Sequence, residues 1–213
     1  MAKYYPVNLL LKDKLCLVAG AGNVAERKVK RLLECQAKVL VISPEITPGL
    51  KKLALQKKIL FKKSRLNLKN LPEAYLVIAA TSDAKLNAEI SSFCRARNIL
   101  INVVDSPDEC NFILPSLVTK GDLTITISTQ GISPALAKKI RQDLEKNFGA
   151  EYAALLRVMK EIRPLAIKKI KNTKARKVFF QKILAPEILN LLRHKKESLA
   201  KNKILADLKK ASS

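Results

Sequence analysis

The stretch Leu15-Cys16-Leu17-Val18-Ala19-Gly20-Ala21-Gly22-Asn23-Val24-Ala25 runs an apolar strand directly into a glycine-spaced turn and then into a helical pattern. That order predicts the opening of a dinucleotide-binding βαβ unit. Gly20 lets the chain turn sharply off the strand, and Gly22 removes the side chain that would obstruct a pyrophosphate. Ala25 lets the helix approach the sheet closely. Phosphates then rest on the helix N-terminus, where free N–H groups and the helix dipole favour negative charge.

The flanking sequence supplies the context this short motif needs. Val24, Val29, Leu32 and Leu33 recur at helical spacing, and Ala37-Lys38-Val39-Leu40-Val41-Ile42 reads as a second buried parallel strand. Together they make a βαβ unit of about thirty residues. The second strand ends in Ser43-Pro44-Glu45, where an acidic residue is expected to hold the adenosine ribose, so Glu45 or nearby backbone groups are the candidates. No arginine follows to receive a 2′-phosphate, although Lys51 and Lys52 are close in sequence, so NAD is favoured over NADP.

Further along, Ile59-Leu60-Phe61 is a short apolar run, and Ala74 to Ala80 is a strong buried strand ended by Thr81-Ser82-Asp83. Ligands of open parallel sheets bind outside the carboxyl ends of the strands, which makes Thr81 a candidate cofactor contact. Asn87 to Arg97 reads as a helix, and Ile99 to Val104 as a strand that delivers Asp105 to the same edge. A carboxylate there is expected to be partly desolvated and suited to proton transfer. The same residue also suits a cap for the Ser106-Pro107-Asp108 turn.

The pattern then changes. Phe112 to Thr119 and Leu123 to Ser128 flank Lys120-Gly121-Asp122, a hairpin signal, and the second arm alternates apolar and hydroxyl residues. Ser133 and Pro134 read as N-cap and first residue of a helix ending near Asn147. From Glu151 onward only helical spacings appear, with breaks expected at Pro164 and Pro186. The fold class is therefore α/β, a Rossmann-type parallel sheet followed by a hairpin–helix region and a small all-helical domain. The expected boundaries are residues 1–112, 113–149 and 150–213.

Composition constrains the function. With 213 residues, 48% of them hydrophobic, the chain can bury a substantial core. No apolar run reaches the roughly 18 residues that span a bilayer, and Met-Ala-Lys-Tyr-Tyr-Pro at the start lacks the apolar heart of a signal peptide. A cytoplasmic location without membrane partners is expected. Cys16, Cys35, Cys94 and Cys110 show no C-x-x-C spacing and read as buried thiols. His194 is the single histidine, read as a surface residue, and no cluster has metal-ligand spacing, so no metal site is expected.

Net charge is +23, and residues 151–213 hold 17 Lys and Arg against 5 Asp and Glu. Such a surface either serves solubility or attracts a polyanion, either nucleic acid or a multiply carboxylated small molecule. A nucleotide-sensing nucleic-acid binder is the alternative of a different class. The tail opposes it, with only Tyr152, Phe179 and Phe180 as aromatics and no recognisable nucleic-acid motif.

The segments V-A-G-A-G-N-V-A-E-R-K, V-I-S-P-E, I-A-A-T-S-D, N-V-V-D-S-P, N-F-I-L-P-S and S-T-Q-G-I-S-P-A-L-A together resemble the precorrin-2 dehydrogenases of sirohaem biosynthesis, including the N-terminal module of bifunctional sirohaem synthases. The resemblance covers roughly residues 1–150, and the helical tail matches only in general character. It implies NAD-dependent oxidation of precorrin-2 to sirohydrochlorin, followed in some members by insertion of ferrous iron as a second substrate. It also implies a homodimer that uses the hairpin and a tetrapyrrole bound in the cleft between the domains. The family's catalytic aspartate falls on Asp105, and its dinucleotide contacts fall on Asn23, Val24, Ser43, Pro44 and Glu45. Precorrin-2 carries eight carboxylate side chains, which gives the basic surface a use. A regulatory serine of some bifunctional relatives aligns with Thr129, one residue after Ser128. The methyltransferase module of the longer synthases is expected to be absent. A tetrapyrrole-binding protein without the oxidation chemistry is a third reading.

Overall fold

A computed structural model describes residues 4–212. The chain divides into two compact units, Met1–Leu114 and Pro115–Ser213, each with its own core.

The first unit is built on five parallel strands: β1 (Leu15–Ala19), β2 (Lys38–Ser43), β3 (Leu60–Lys63), β4 (Leu76–Ala79) and β5 (Leu100–Val103), in spatial order β3-β2-β1-β4-β5. Chain progression reverses between β1 and β4, the switch point at which open sheets of this kind bind ligands. Because successive strand residues face opposite sides, β1 feeds two cores. Cys16 and Val18 pack with Ala25, Val29 and Leu32 of α1 (Asn23–Glu34) and Leu50 of α2 (Pro48–Leu55). Leu17 and Ala19 pack with Ile90 and Cys94 of α3 (Ala84–Arg95). Burial on both faces explains why β1, β2 and β4 read as continuous apolar runs rather than alternating ones.

The second unit begins with a hairpin, β6 (Ser116–Lys120) and β7 (Leu123–Ile127), turned at Gly121 with φ +58° and packed against α4 (Pro134–Asn147) and α5 (Ala150–Lys169). Three more helices follow: α6 (Thr173–Lys182), α7 (Pro186–Arg193) and α8 (Glu197–Ser212). Their core is aliphatic around one aromatic: Leu155, Val158, Ile162, Phe179, Leu192 and Ile204. Ser133 caps α4 by accepting from the Leu136 amide at 3.2 Å with Pro134 behind it, as the sequence predicts.

Three expectations need correction, and one helix lies outside them. Pro164 does not break the chain: it lies inside α5 on the exposed side, while the buried row continues through Val158, Ile162 and Ala166. The lost backbone bond is outweighed by burial on both sides of it. The helix expected to start at Asn87 starts at Ala84, because Asp83 accepts from the Leu86 amide at 3.0 Å and caps it one turn earlier. Helix α2 goes unsignalled by the sequence pattern, since it buries only Leu50. Cys35 is exposed at the end of α1, whereas Cys16, Cys94 and Cys110 are buried as expected.

Candidate functional site

The β1–α1 turn is shaped by two glycines with opposite surroundings. Gly20 has φ +97°, and a Cβ there would meet the Ala80 carbonyl oxygen at 2.3 Å. Its amide donates to the Ile42 carbonyl at 2.9 Å, and the Ala80 amide donates to Ala19 at 2.8 Å, so the end of β1 is stitched to both neighbouring strands. Gly22 is the reverse case: a Cβ there would meet nothing within 4 Å. It is the N-cap of α1 and supplies no side-chain cap, so the helix start faces open space with its backbone donors free of a capping side chain. These residues fit a dinucleotide pyrophosphate, with Asn23 and Val24 forming the first turn beneath it. Ala25 is fully buried in the helix–sheet contact.

The next edge element is the β2–α2 loop. Ser43 is buried at the end of β2, and Pro44 and Glu45 are exposed. Glu45 lies on the rim of an open cavity of about 960 Å³, along with Ile46, Lys51, Phe61 and Lys63. This loop is fastened to the glycine turn by residues the sequence pattern does not single out. The Thr47 amide donates to the Ala21 carbonyl at 3.2 Å, and the Thr47 hydroxyl donates to a Glu26 carboxylate oxygen at 2.6 Å. The other Glu26 oxygen accepts from Lys30 at 2.6 Å. Hydrogen bonds from Lys30 and Thr47 hold the Glu26 carboxyl below its ordinary pKa. Only Thr47-Pro48, an N-cap followed by a first-turn proline, signals this junction in the sequence.

Thr81 ends β4 at the same edge, but its hydroxyl is engaged inside the turn. It donates to Asn87 Oδ1 at 2.7 Å and accepts from the Asp83 amide at 3.2 Å, while Asn87 Nδ2 donates to the Thr81 carbonyl at 3.1 Å. In this arrangement the Thr81 side chain shapes the β4–α3 turn.

Asp105 follows β5 in a turn with φ +60°, a left-handed conformation that Asp tolerates better than most residues. It is exposed, which corrects the expectation of a partly desolvated carboxylate: β5 ends at Val103, and the turn carries residue 105 clear of the buried sheet. The 3₁₀ turn after it starts at Ser106 without a side-chain cap. The loop carrying Asp105 is nonetheless held firmly. Cys110 Sγ accepts from the Val103 amide at 3.1 Å, Asn111 Oδ1 accepts from the Ile101 amide at 2.7 Å, and Ser91 of α3 donates to the Glu109 carbonyl at 2.6 Å. Arg95 of α3 adds bonds to the Asp108 and Cys110 carbonyls. Burial pushes the Cys110 thiol up, so it acts as a neutral hydrogen-bonding staple.

Lys28 of α1 is half-buried, and its electrostatics connect α1 to this loop. Burial lowers its pKa and Arg27 lowers it further, while Asp105 and Cys110 raise it. The glycine turn, the β2–α2 loop, Thr81 and Asp105 thus share the carboxyl edge of one sheet, with a cation near the carboxylate. Among the described residues no group of three or more His, Cys, Asp or Glu side chains forms a metal site. His194 is exposed at the end of α7 with Nδ1 2.9 Å from the Asn190 carbonyl oxygen. No described helix is long and apolar enough to cross a membrane.

Residues 7–116 match the model of an NAD(P)-binding family, and residues 120–147 match a family described as sirohaem biosynthesis protein, central. A siroheme synthase of Methylobacillus flagellatus is 36% identical over 189 residues, covering 87% of this chain and 40% of the relative. One of Thioalkalivibrio sulfidiphilus is 35% identical over 207 residues, covering 93% of this chain and 40% of the relative. The solved structure of SirC, precorrin-2 dehydrogenase, superimposes with a TM-score of 0.81 at 24% identity, covering 97% of this chain and 100% of that one, a likeness of fold. The chain spans about two-fifths of the length of these siroheme synthases.

Proposed function

This chain belongs to the sirohaem-synthase N-terminal-module family and carries its NAD(P)-binding domain, and from that membership we propose that it oxidises precorrin-2 to sirohydrochlorin with NAD in sirohaem biosynthesis. The observation that carries the reading is the shared edge: an exposed carboxylate, Asp105, on a loop bonded to β5, at the same edge of the sheet as an unobstructed, uncapped helix start. Gly22, Asn23 and Val24 receive the pyrophosphate, and Ser43, Pro44 and Glu45 face the adenosine ribose. Glu45, on a segment from Ser43 to Ser64 that contains no Arg, suits the unphosphorylated ribose of NAD. When bound, the nicotinamide ring supplies a two-electron acceptor for hydride.

The oxidation removes two hydrogens from the macrocycle, one as hydride to the cofactor and one as a proton. Asp105 takes that proton through a carboxylate oxygen and releases it to solvent, for which an exposed position is well suited. The glycine turn orients the cofactor, and the 104–111 loop keeps the base in place without a conformational search.

We extend the proposal to a homodimer assembled in a cytoplasmic setting. Support comes from the hairpin, where β7 leaves Leu123, Ile125 and Ile127 only half-buried even with α4 and α5 packed against it. Light scattering on the purified chain tests this, with a dimer mass expected and a strictly monomeric mass as the refuting result.

The function is tested by incubating the protein anaerobically with enzymatically generated precorrin-2. A sirohydrochlorin spectrum that forms only with NAD supports the proposal, and no NAD-dependent change refutes it. Ferrous ion added to the product, against a protein-free control, then tests metal insertion.

A further inference from the structure

We propose that the helical unit carries a second ligand site, an anion pocket on α5 and α6 that takes a flat-bodied small molecule bearing carboxylate or phosphate groups. Its observations are independent of the dinucleotide edge. An open cavity of about 380 Å³ gathers Arg163, Arg176 and Lys177 beside Thr173, with Phe180 and Leu184 as apolar lining. Three cations share one small concavity, and no acid lines it.

The surrounding charge makes this concentration unusual. Four of the five acids in residues 151–213 are consumed in ion pairs elsewhere in the unit: Glu151 with Arg193, Glu161 with Lys201, Glu187 with Lys203 and Glu197 with Arg157. Between Glu161 and Glu187 the sequence has eight Lys and Arg and no Asp or Glu. The pocket cations therefore repel one another without a local counter-charge, and a bound anion relieves that repulsion.

Two of the cations are also prearranged. The Arg163 guanidinium lies over the Phe180 ring, 5.4 Å from its centroid, and Arg176 donates to the Ile170 carbonyl at 3.1 Å. A guanidinium fixed in this way loses less freedom on meeting a carboxylate or phosphate, and its planar fork matches either group. Phe180 and Leu184 offer the ligand body an apolar surface. A carboxylated ring compound and a nucleotide phosphate present this same chemistry, and the experiment separates them.

The test titrates the full-length protein, saturated with NAD to fill the first unit, with a porphyrin octacarboxylate in one arm and ATP in the other, at physiological salt. Lys177 is exposed, so Lys177→Glu leaves the fold intact. Lys196→Glu, an identical charge change at the α7–α8 turn, serves as the control. The pocket predicts that one probe binds and that Lys177→Glu weakens it about tenfold. Lys196→Glu changes binding by less than about twofold, because Lys196 does not line the pocket and an exposed charge outside it is screened by salt. The probe that binds identifies the ligand source. Equal losses in the two variants, no loss in either, or no binding of either probe to the wild type overturns the proposal.

Discussion

The two units stabilise their functional surfaces in different ways. In the first, a hydrogen-bond network fixes the edge of the sheet, through the backbone at Gly20 and Thr47 and through the polar side chains of Ser91, Asn111 and Cys110 in and around the Asp105 loop. In the second, an aliphatic core around Phe179 and ion pairs between side chains tie α5 to α7 and α8. The difference teaches where each unit tolerates change. An edge held by a hydrogen-bond network permits chemistry on exposed side chains outside that network, because removing them disturbs no packing. A side-chain-defined bundle permits a large cationic excess on its surface but little change within.

The largest expected effect tests the first half of that statement. Asp105→Asn should lower precorrin-2 oxidation by about 10²–10⁴-fold, the range for a lost general base, with melting temperature and NAD affinity unchanged. A coincident loss of stability would place Asp105 in the structural framework.

Core truncation in the second unit comes next. Phe179→Ala should cost about 3–5 kcal/mol, since the ring is 2% exposed at the centre of the helical core. Proteolysis should then cut the helical unit while the first unit still binds dinucleotide. Simultaneous collapse of both units in a thermal scan would contradict their separate cores.

The two glycines give a sharper internal contrast. Gly20→Ala combines a positive φ with a 2.3 Å contact to backbone and should destabilise the first unit by about 3 kcal/mol or more. Gly22→Ala meets open space and should cost about 1 kcal/mol or less while reducing dinucleotide affinity at least about tenfold. Chemical denaturation and NAD titration of both variants separate the roles, and a reversed pattern would reject the phosphate cradle.

The smallest effect concerns pH. Glu151 is 7% exposed, and its carboxyl is held below its ordinary value first by its own backbone amide and then, against the opposing effect of burial, by Arg193. Its folded pKa lies below its unfolded one. Its contribution is therefore present above the ordinary value of 4.5 and is lost as pH falls below that through the folded value. Glu151→Gln should flatten the stability–pH curve of the helical unit in that acidic window and change its slope little at neutral pH.

Much of the first unit is legible in the sequence because its signals are local. β1, its glycine turn, β2, β4 and β5 each announce themselves as apolar runs ended by polar residues, and Ser133-Pro134 marks α4. What escapes is set by contacts between distant residues. The Glu26–Thr47 bond spans 21 positions and exists only after the crossover brings α1 and α2 together. Pro164 carries a strong local breaking signal that tertiary burial along α5 overrides. Cys35 reads as apolar, yet it falls at the solvent end of α1. The exposure of Asp105 depends on the chain leaving β5 two residues before it, a boundary too fine for periodicity to define.

The central claim is that a dinucleotide-bearing sheet edge with Asp105 as its base performs the oxidation. Its most direct test is the anaerobic absorbance change of precorrin-2 with wild-type protein and with Asp105→Asn, each with and without NAD. The account predicts a sirohydrochlorin spectrum from the wild type only when NAD is present, and at most about one-hundredth of that rate from the variant. Equal rates from the two proteins, or no NAD-dependent conversion by the wild type, would contradict it.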